Sequence, residues 1–122
     1  MERGETTAQA VLAVPVLLLF LFFGVQVSMY FNTAQLAAIA AQDGAIAGSI
    51  AGGSEIRAIA AAVKSMAEQR ASEGKTPEAR IDNGVIEVKV ILYAPSIVPF
   101  FPTLVTRSAS EPLERFVLEV DR

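Results

Sequence analysis

The sequence predicts an α+β protein in which a long N-terminal transmembrane helix extends into a small outer domain of one helix packed on a three-stranded antiparallel sheet. Three observations support this prediction. No charged residue lies between Glu5 and Asp43, apolar residues recur at helical spacing after Ser54, and the residues flanking Asn83-Gly84 alternate as in a hairpin. The chain is 52% apolar yet 19% charged, a mixture typical of a membrane segment joined to a water-exposed part.

The composition argues against several classes of function. Cysteine and histidine are both absent, which removes disulfides, thiolate and imidazole metal ligands, and histidine acid–base chemistry. The 10 basic residues are outnumbered by 13 acidic ones and form no cluster, so nucleic-acid binding lacks its electrostatic support. No nucleotide-binding or nucleophile motif occurs. We therefore predict no enzyme activity, no catalytic or metal site, no cofactor and no nucleic-acid partner.

The apolar segment is long enough to cross a bilayer. About 20 apolar residues span a hydrocarbon core of about 30 Å, and the run from Ala10 to Val25 is unbroken. Since a chain in lipid must bond its own backbone groups, we predict a transmembrane helix over residues 5–31, loosened or kinked at Pro15. Arg3 is the basic residue nearest the span, so the positive-inside rule predicts a cytoplasmic N-terminus and an extracytoplasmic C-terminal domain.

A cleaved secretory signal peptide is the competing interpretation of this segment. Ala38-Ile39-Ala40 and Ala45-Ile46-Ala47 both have the small-x-small pattern that signal peptidase cleaves. However, the apolar stretch exceeds the roughly 7–15 residues of a signal-peptide core, and a single Arg precedes it.

Residues 32–53 form an Ala- and Gly-rich continuation. A helix there would either protrude from the outer face of the membrane or break and restart near Asn32. Small residues recur every fourth position on one stripe: Ala40, Gly44, Gly48 and Gly52. Such a stripe lets another helix approach closely, but glycines also weaken a helix and could mark its fraying end. The sequence leaves both interpretations open.

Residues 54–122 are predicted to form the outer domain. Ser54 is a favourable N-cap for a helix running to about residue 72. Its predicted core face holds the apolar residues at helical spacing: Ile56, Ile59, Ala60, Val63, Met66 and Ala67. The helix is followed by a hairpin with Asn83-Gly84 as a type I′ turn.

The hairpin register follows from this turn. It pairs Arg80 with Glu87 and puts four apolar residues on one face: Ile86, Val88, Val90 and Leu92. A third strand is predicted over residues 113–120. Four prolines should keep the intervening stretch irregular: Pro95, Pro99, Pro102 and Pro112.

This intervening stretch is nevertheless apolar. Its large side chains are too many to be buried in so small a domain: Ile97, Val98, Phe100, Phe101 and Leu104. An apolar loop outside the membrane either lies on the lipid surface or is covered by a partner protein.

Several motifs occur in a characteristic order. Arg3-Gly4 precedes small residues, Gln9, and an apolar helix containing Pro15. An Ala-rich segment then ends in Gln42-Asp43-Gly44-Ala45, and a Pro-rich loop leads to Ser108-Ala109-Ser110. In this order and spacing the chain resembles the TadE-like minor pseudopilins of tight-adherence (Tad/Flp, type IVc) pilus systems.

The resemblance implies a single-pass precursor whose leader, residues 1–4, is removed by a prepilin peptidase between Gly4 and Glu5. It also implies that the helix, through positions 9 and 15, packs with other pilin helices and with the pilus inner-membrane platform. The family has an acidic residue where this chain has Gln9. Because of this difference, the sequence does not distinguish a subunit that enters a filament from a membrane-bound assembly factor. The alternative function is a generic membrane-anchored, partner-binding subunit of another membrane complex.

Overall fold

The computed structural model describes residues 2–50, 53–69, 71 and 74–113. These residues form two helices, α1 (Glu2–Ser49) and α2 (Glu55–Glu68), and three strands, β1 (Glu78–Asp82), β2 (Val85–Tyr93) and β3 (Leu104–Pro112). The strands form one antiparallel sheet in the order β1-β2-β3. The predicted fold class, a long N-terminal apolar helix followed by a second helix and a three-stranded sheet, is confirmed.

Helix α1 contains 48 residues and is therefore about 72 Å long, more than twice the thickness of a hydrocarbon core. It continues through Pro15 and through the predicted boundary between residues 31 and 32. Of the two alternatives for the Ala-rich segment, the structure therefore has the helix that continues without a break near Asn32.

The C-terminal half of α1 belongs to the outer domain. It lies over β2 and β3, while α2 lies beside it over β1 and β2. The core is formed by small residues from the helices and larger ones from β2: Ala37, Ala40, Ala41, Ala45, Ala58, Ala62, Ile86, Val88, Val90 and Leu92. Alanines let the helices approach each other, and the β-sheet side chains fill the remaining space.

The β1–β2 hairpin has the predicted register, with Arg80 opposite Glu87. Asn83 and Gly84 have φ angles of 51° and 75°, as both central positions of a type I′ turn require. The predicted apolar face of β2 is fully buried: Ile86, Val88, Val90 and Leu92.

The third strand lies earlier in the chain than predicted. Strand β3 falls within the stretch that the prolines were expected to keep irregular, and it pairs with β2 along its whole length. Pro112 is its last residue, at the edge of the sheet, where a missing N–H is tolerated. Leu113 follows the strand, and the rest of the predicted strand, residues 114–120, lies outside the described residues.

Helix α2 begins as predicted but ends earlier. The Ser54 hydroxyl accepts the backbone N–H of Arg57 at 3.2 Å and caps the helix. The Arg57 guanidinium in turn donates to the carbonyl of Ile50 at 2.5 Å, which ties α2 to the end of α1. The helix ends at Glu68 and not near residue 72.

The predicted core face of α2 is only partly correct, because Met66 packs against the core and Ile59 is half-buried. The buried residues are Ala58, Ala62 and Ser65, whereas Ile56 is 81% exposed and Val63 is also exposed. The close contact with α1 explains the difference, because larger side chains would not fit between the two helices.

Candidate membrane and assembly interface

The N-terminal half of α1 is an apolar surface that the rest of the chain leaves largely uncovered. Every Val, Leu and Phe from Val11 to Phe23 is 47–71% exposed. Within the described residues, α1 is the one helix long and apolar enough to cross a membrane. This surface fits a membrane anchor.

Gln26 follows this surface and is fully buried. Its Oε1 accepts the backbone N–H groups of Ile97 at 2.7 Å and Val98 at 3.2 Å, and its Nε2 donates to the carbonyl of Pro95 at 2.9 Å. We call residues 94–103, which connect β2 to β3, the return loop. One amide side chain therefore holds this loop against α1.

An aromatic contact adds to this attachment. The ring of Phe101 lies 5.7 Å from that of Phe23 and 6.0 Å from that of Tyr30, measured between centroids, and both pairs are nearly perpendicular. This edge-to-face arrangement is the one that aromatic quadrupoles favour. The return loop is thus held against α1 by three hydrogen bonds of Gln26 and by two ring contacts of Phe101.

An apolar groove with a volume of about 760 Å³ lies between α1 and the return loop. It is lined by side chains from both: Val16, Leu19, Phe20, Phe22, Phe23, Ile97, Val98 and Pro99. Among the residues predicted for a lipid- or partner-binding loop, Phe100 is fully exposed and Ile97 is 45% exposed. Val98 and Phe101 are partly covered, and Leu104 is an exposed residue of β3.

The stripe of small residues faces the chain's own outer domain. Ala40 is fully buried. A Cβ atom added to Gly44 would lie 2.8 Å from the carbonyl oxygen of Ala58, and one added to Gly48 would lie 2.6 Å from the Cβ of Ala58. The helix that approaches these glycines closely is therefore α2 of the same chain. Gly52 lies outside the described residues.

A small polar network crosses the same helix–helix contact. The buried Ser65 hydroxyl donates to the Asp43 carboxylate at 2.7 Å, and the Gln69 amide donates to the Ser65 hydroxyl at 2.9 Å. Asp43 is otherwise exposed. Among the described residues, no three acidic side chains lie close enough to hold a metal ion.

The predicted processing and assembly positions lie at the other end of α1. Gly4, Glu5 and Gln9 occupy its first turns and are exposed, as is Pro15. A Cβ atom on Gly4 would meet nothing within 4 Å. The structure therefore does not bring these positions together with the glycine stripe or the return loop.

Residues 4–45 match the model of a protein family described as TadE-like protein. This segment, about a third of the chain, is similar to TadE-like proteins. It contains the exposed half of α1, Gln26 and the first glycine of the stripe, whereas α2 and the sheet lie beyond it. Comparisons with curated proteins and with solved structures found no match.

The match over residues 4–45 is consistent with a TadE-like protein of Tad pili. The resemblance inferred from the sequence is confirmed over this segment. The other motifs of that resemblance, the Pro-rich stretch and Ser108-Ala109-Ser110, lie beyond the matched residues and form the return loop and part of β3.

Proposed function

We propose that this chain is a minor pilin, pseudopilin or assembly subunit of a Tad pilus machine, anchored in the cell membrane by α1. The observation that carries the proposal is that the TadE-like match includes the part of α1 that the rest of the chain leaves uncovered. The side chains between Val11 and Phe23 are free to contact lipid or the helices of other pilin subunits.

The proposed topology divides the chain into a leader (residues 1–4), a transmembrane part (5–31), a helical extension (32–53) and an outer domain (54–122). Arg3 favours a cytoplasmic N-terminus. All charged residues after Glu5 follow position 42. Since charged side chains need water, this is consistent with a location of α2 and the sheet in one aqueous compartment. The length of α1, about 72 Å, leaves its second half outside a core of about 30 Å.

Processing supplies the first test. The proposed substrate of a prepilin peptidase is the bond between Gly4 and Glu5, placed directly before the apolar helix. We expect the intact mass of the purified protein to correspond to a chain that begins at Glu5 when the host has an active prepilin peptidase. The same protein from a host without the peptidase should retain residues 1–4 and provides the control.

Two results of this measurement would contradict the proposal. Retention of residues 1–4 in the peptidase-positive host would favour a generic membrane-anchored subunit of another complex. Loss of all residues before Gln42 would indicate a secretory signal peptide instead.

Partner binding supplies the second test. We expect the processed protein to co-purify from membranes with other pilin subunits and with the inner-membrane platform of the same system. A variant whose outer domain is unfolded should still insert into the membrane through α1. The co-purification that this variant retains measures the contribution of α1 to partner binding.

A further inference from the structure

The return loop reaches a depth along α1 that belongs to the bilayer. Glu5 is the last charged residue before the apolar segment, and about 20 helical residues after it, ending near Val25, span a core of about 30 Å. The loop lines the groove beside Leu19 and Phe23. These two positions lie about 3 to 9 Å inside the outer boundary of that core.

Most backbone N–H groups of the return loop are either absent or hydrogen-bonded. A lipid-exposed N–H or C=O without a partner costs several kcal/mol, and the loop reduces the number of such groups. Pro95, Pro99 and Pro102 have no N–H. Gln26 binds two loop N–H groups and one carbonyl, and the N–H groups of Ala94 and Phe101 bind the carbonyls of Thr103 and Val98.

The tip of the loop exposes an aromatic ring in a strained conformation. Phe100 has a φ of 69°, a left-handed conformation that a bulky residue rarely adopts. Its side chain is fully exposed and does not pack against the described part of the chain. Residues in such sparsely populated backbone conformations cluster at ligand-contacting and switch segments.

We propose that the tip of the return loop, Ile97 to Phe100, inserts into the outer leaflet beside α1 and acts as a second membrane contact. The ligand is the acyl-chain region of the bilayer, because the exposed tip residues are continuous with the exposed surface of the membrane helix. The inference depends only on the membrane anchoring within the proposed function. It stands or falls independently of Tad partners.

Spin labels on single cysteines test this proposal in the full-length protein. The chain has no cysteine, so each variant carries one label. Ile97→Cys leaves the Phe100 ring in place, and Phe100→Cys reports on the tip itself. Ser108→Cys on the exposed face of β3 is the aqueous control, and Phe22→Cys on α1 is the lipid control.

The measurement is the accessibility of each label to oxygen, which concentrates in lipid, and to a water-soluble nickel chelate, in nanodiscs of phosphatidylcholine and phosphatidylglycerol. We expect the labels at positions 97 and 100 to lose nickel accessibility relative to position 108 and to gain oxygen accessibility towards that of position 22.

Three results would overturn the proposal. Labels at 97 and 100 as accessible to nickel as the one at 108 would place the loop in water. Labels protected from both reagents would show that protein covers the tip. An aqueous signal at position 22 would reject the membrane anchor itself. Failure of the loop insertion can therefore be distinguished from failure of the membrane anchor.

Discussion

The side-chain oxygen of Gln26 accepts the backbone N–H of Ile97 at 2.7 Å, which joins the membrane-proximal part of α1 to a loop 71 residues later in the chain. The same amide also binds the N–H of Val98 and the carbonyl of Pro95. A single side chain thus satisfies three backbone groups of an otherwise apolar loop. We therefore expect the position of the return loop to depend on the hydrogen bonds of Gln26.

Gln26→Leu should release the return loop. Leucine keeps the apolar volume but leaves two N–H groups and one carbonyl without their partner, and each unsatisfied buried group costs about 1–3 kcal/mol. We therefore expect hydrogen exchange at the Ile97 and Val98 amides in detergent micelles to accelerate at least about tenfold. Gln35→Leu, at an exposed position of the same helix, is the matched control and should leave both rates unchanged. Equal rates in the two variants would contradict the role assigned to Gln26.

The position of Gln26 in the sequence is itself a signal that it contacts another part of the chain. An amide at the end of an apolar span needs a hydrogen-bond partner, which predicts that something must contact it. The identity of the partner could not be predicted, because the loop comes to Gln26 only through the pairing of β2 with β3. Such long-range contacts depend on the tertiary fold and not on local spacing.

Gly48→Ala should destabilise the outer domain. The added Cβ would lie 2.5 Å from the Cδ1 of Ile86 and 2.6 Å from the Cβ of Ala58. The Ile86 side chain can rotate away, but Ala58 moves only if α2 moves, and overpacking of this kind costs about 1–3 kcal/mol. We expect a lower thermal unfolding midpoint in detergent.

Gly24→Ala provides the control for this substitution. Its Cβ would meet nothing within 4 Å, and alanine has the higher helix propensity. Its midpoint should equal or exceed that of the unmodified chain. If Gly48→Ala were as stable as Gly24→Ala, the close approach of α1 and α2 would not need a glycine at position 48.

The parts of the fold that could be predicted are those that depend on neighbouring residues in the sequence. The hairpin register followed from Asn83-Gly84, because turn chemistry acts within two residues. The buried face of α2 did not follow from its apolar spacing, since a neighbouring helix selected the small side chains of Ala58 and Ala62. Strand β3 was missed because Arg107 and Glu111 occupy its half-buried face, which hides the alternation of apolar and polar residues.

Ser65→Ala should weaken the contact between the two helices through the loss of a hydrogen bond to Asp43. A hydrogen bond to a charged group contributes about 1.5–3 kcal/mol when shielded, and the exposure of Asp43 reduces this to about 1 kcal/mol. A double-mutant cycle with Asp43→Ala, which removes the acceptor, should give a coupling energy of this size when measured by denaturant unfolding in detergent.

Ser49→Ala is the matched control for Ser65→Ala. Among the described residues, the Ser49 hydroxyl donates to the carbonyl of Ile46 within α1 and not to Asp43, so its loss should show no coupling with Asp43→Ala. A coupling energy near zero for Ser65 would mean that water replaces the bond at no cost.

Gln9 is the position where this chain differs from the acidic residue typical of the family it resembles. A carboxylate costs roughly 2.5–3.5 kcal/mol at the centre of a membrane helix on insertion scales. Gln9 lies near one end of the apolar segment, so the neutral amide should ease insertion by less than this amount. It should also bind the N-terminal amine of a neighbouring subunit more weakly than a carboxylate would, because charge pairing is strong where the dielectric is low. After processing, the carboxylate of Glu5 would itself balance part of that charge.

We therefore expect Gln9→Glu to be tolerated for insertion and processing and to increase association with pilin partners. Gln9→Leu should change association little, because one hydrogen bond contributes only about 0.5–1.5 kcal/mol net. The measurement is the yield of cysteine crosslinks to partner subunits for the three proteins at matched expression. Since Gln9 lies on the exposed part of α1, neither substitution should alter the outer domain, and unchanged thermal unfolding of that domain is the control. If Gln9→Leu abolished crosslinking, Gln9 would make a specific contact with a partner subunit, which would contradict the expectation that its side chain contributes little to association.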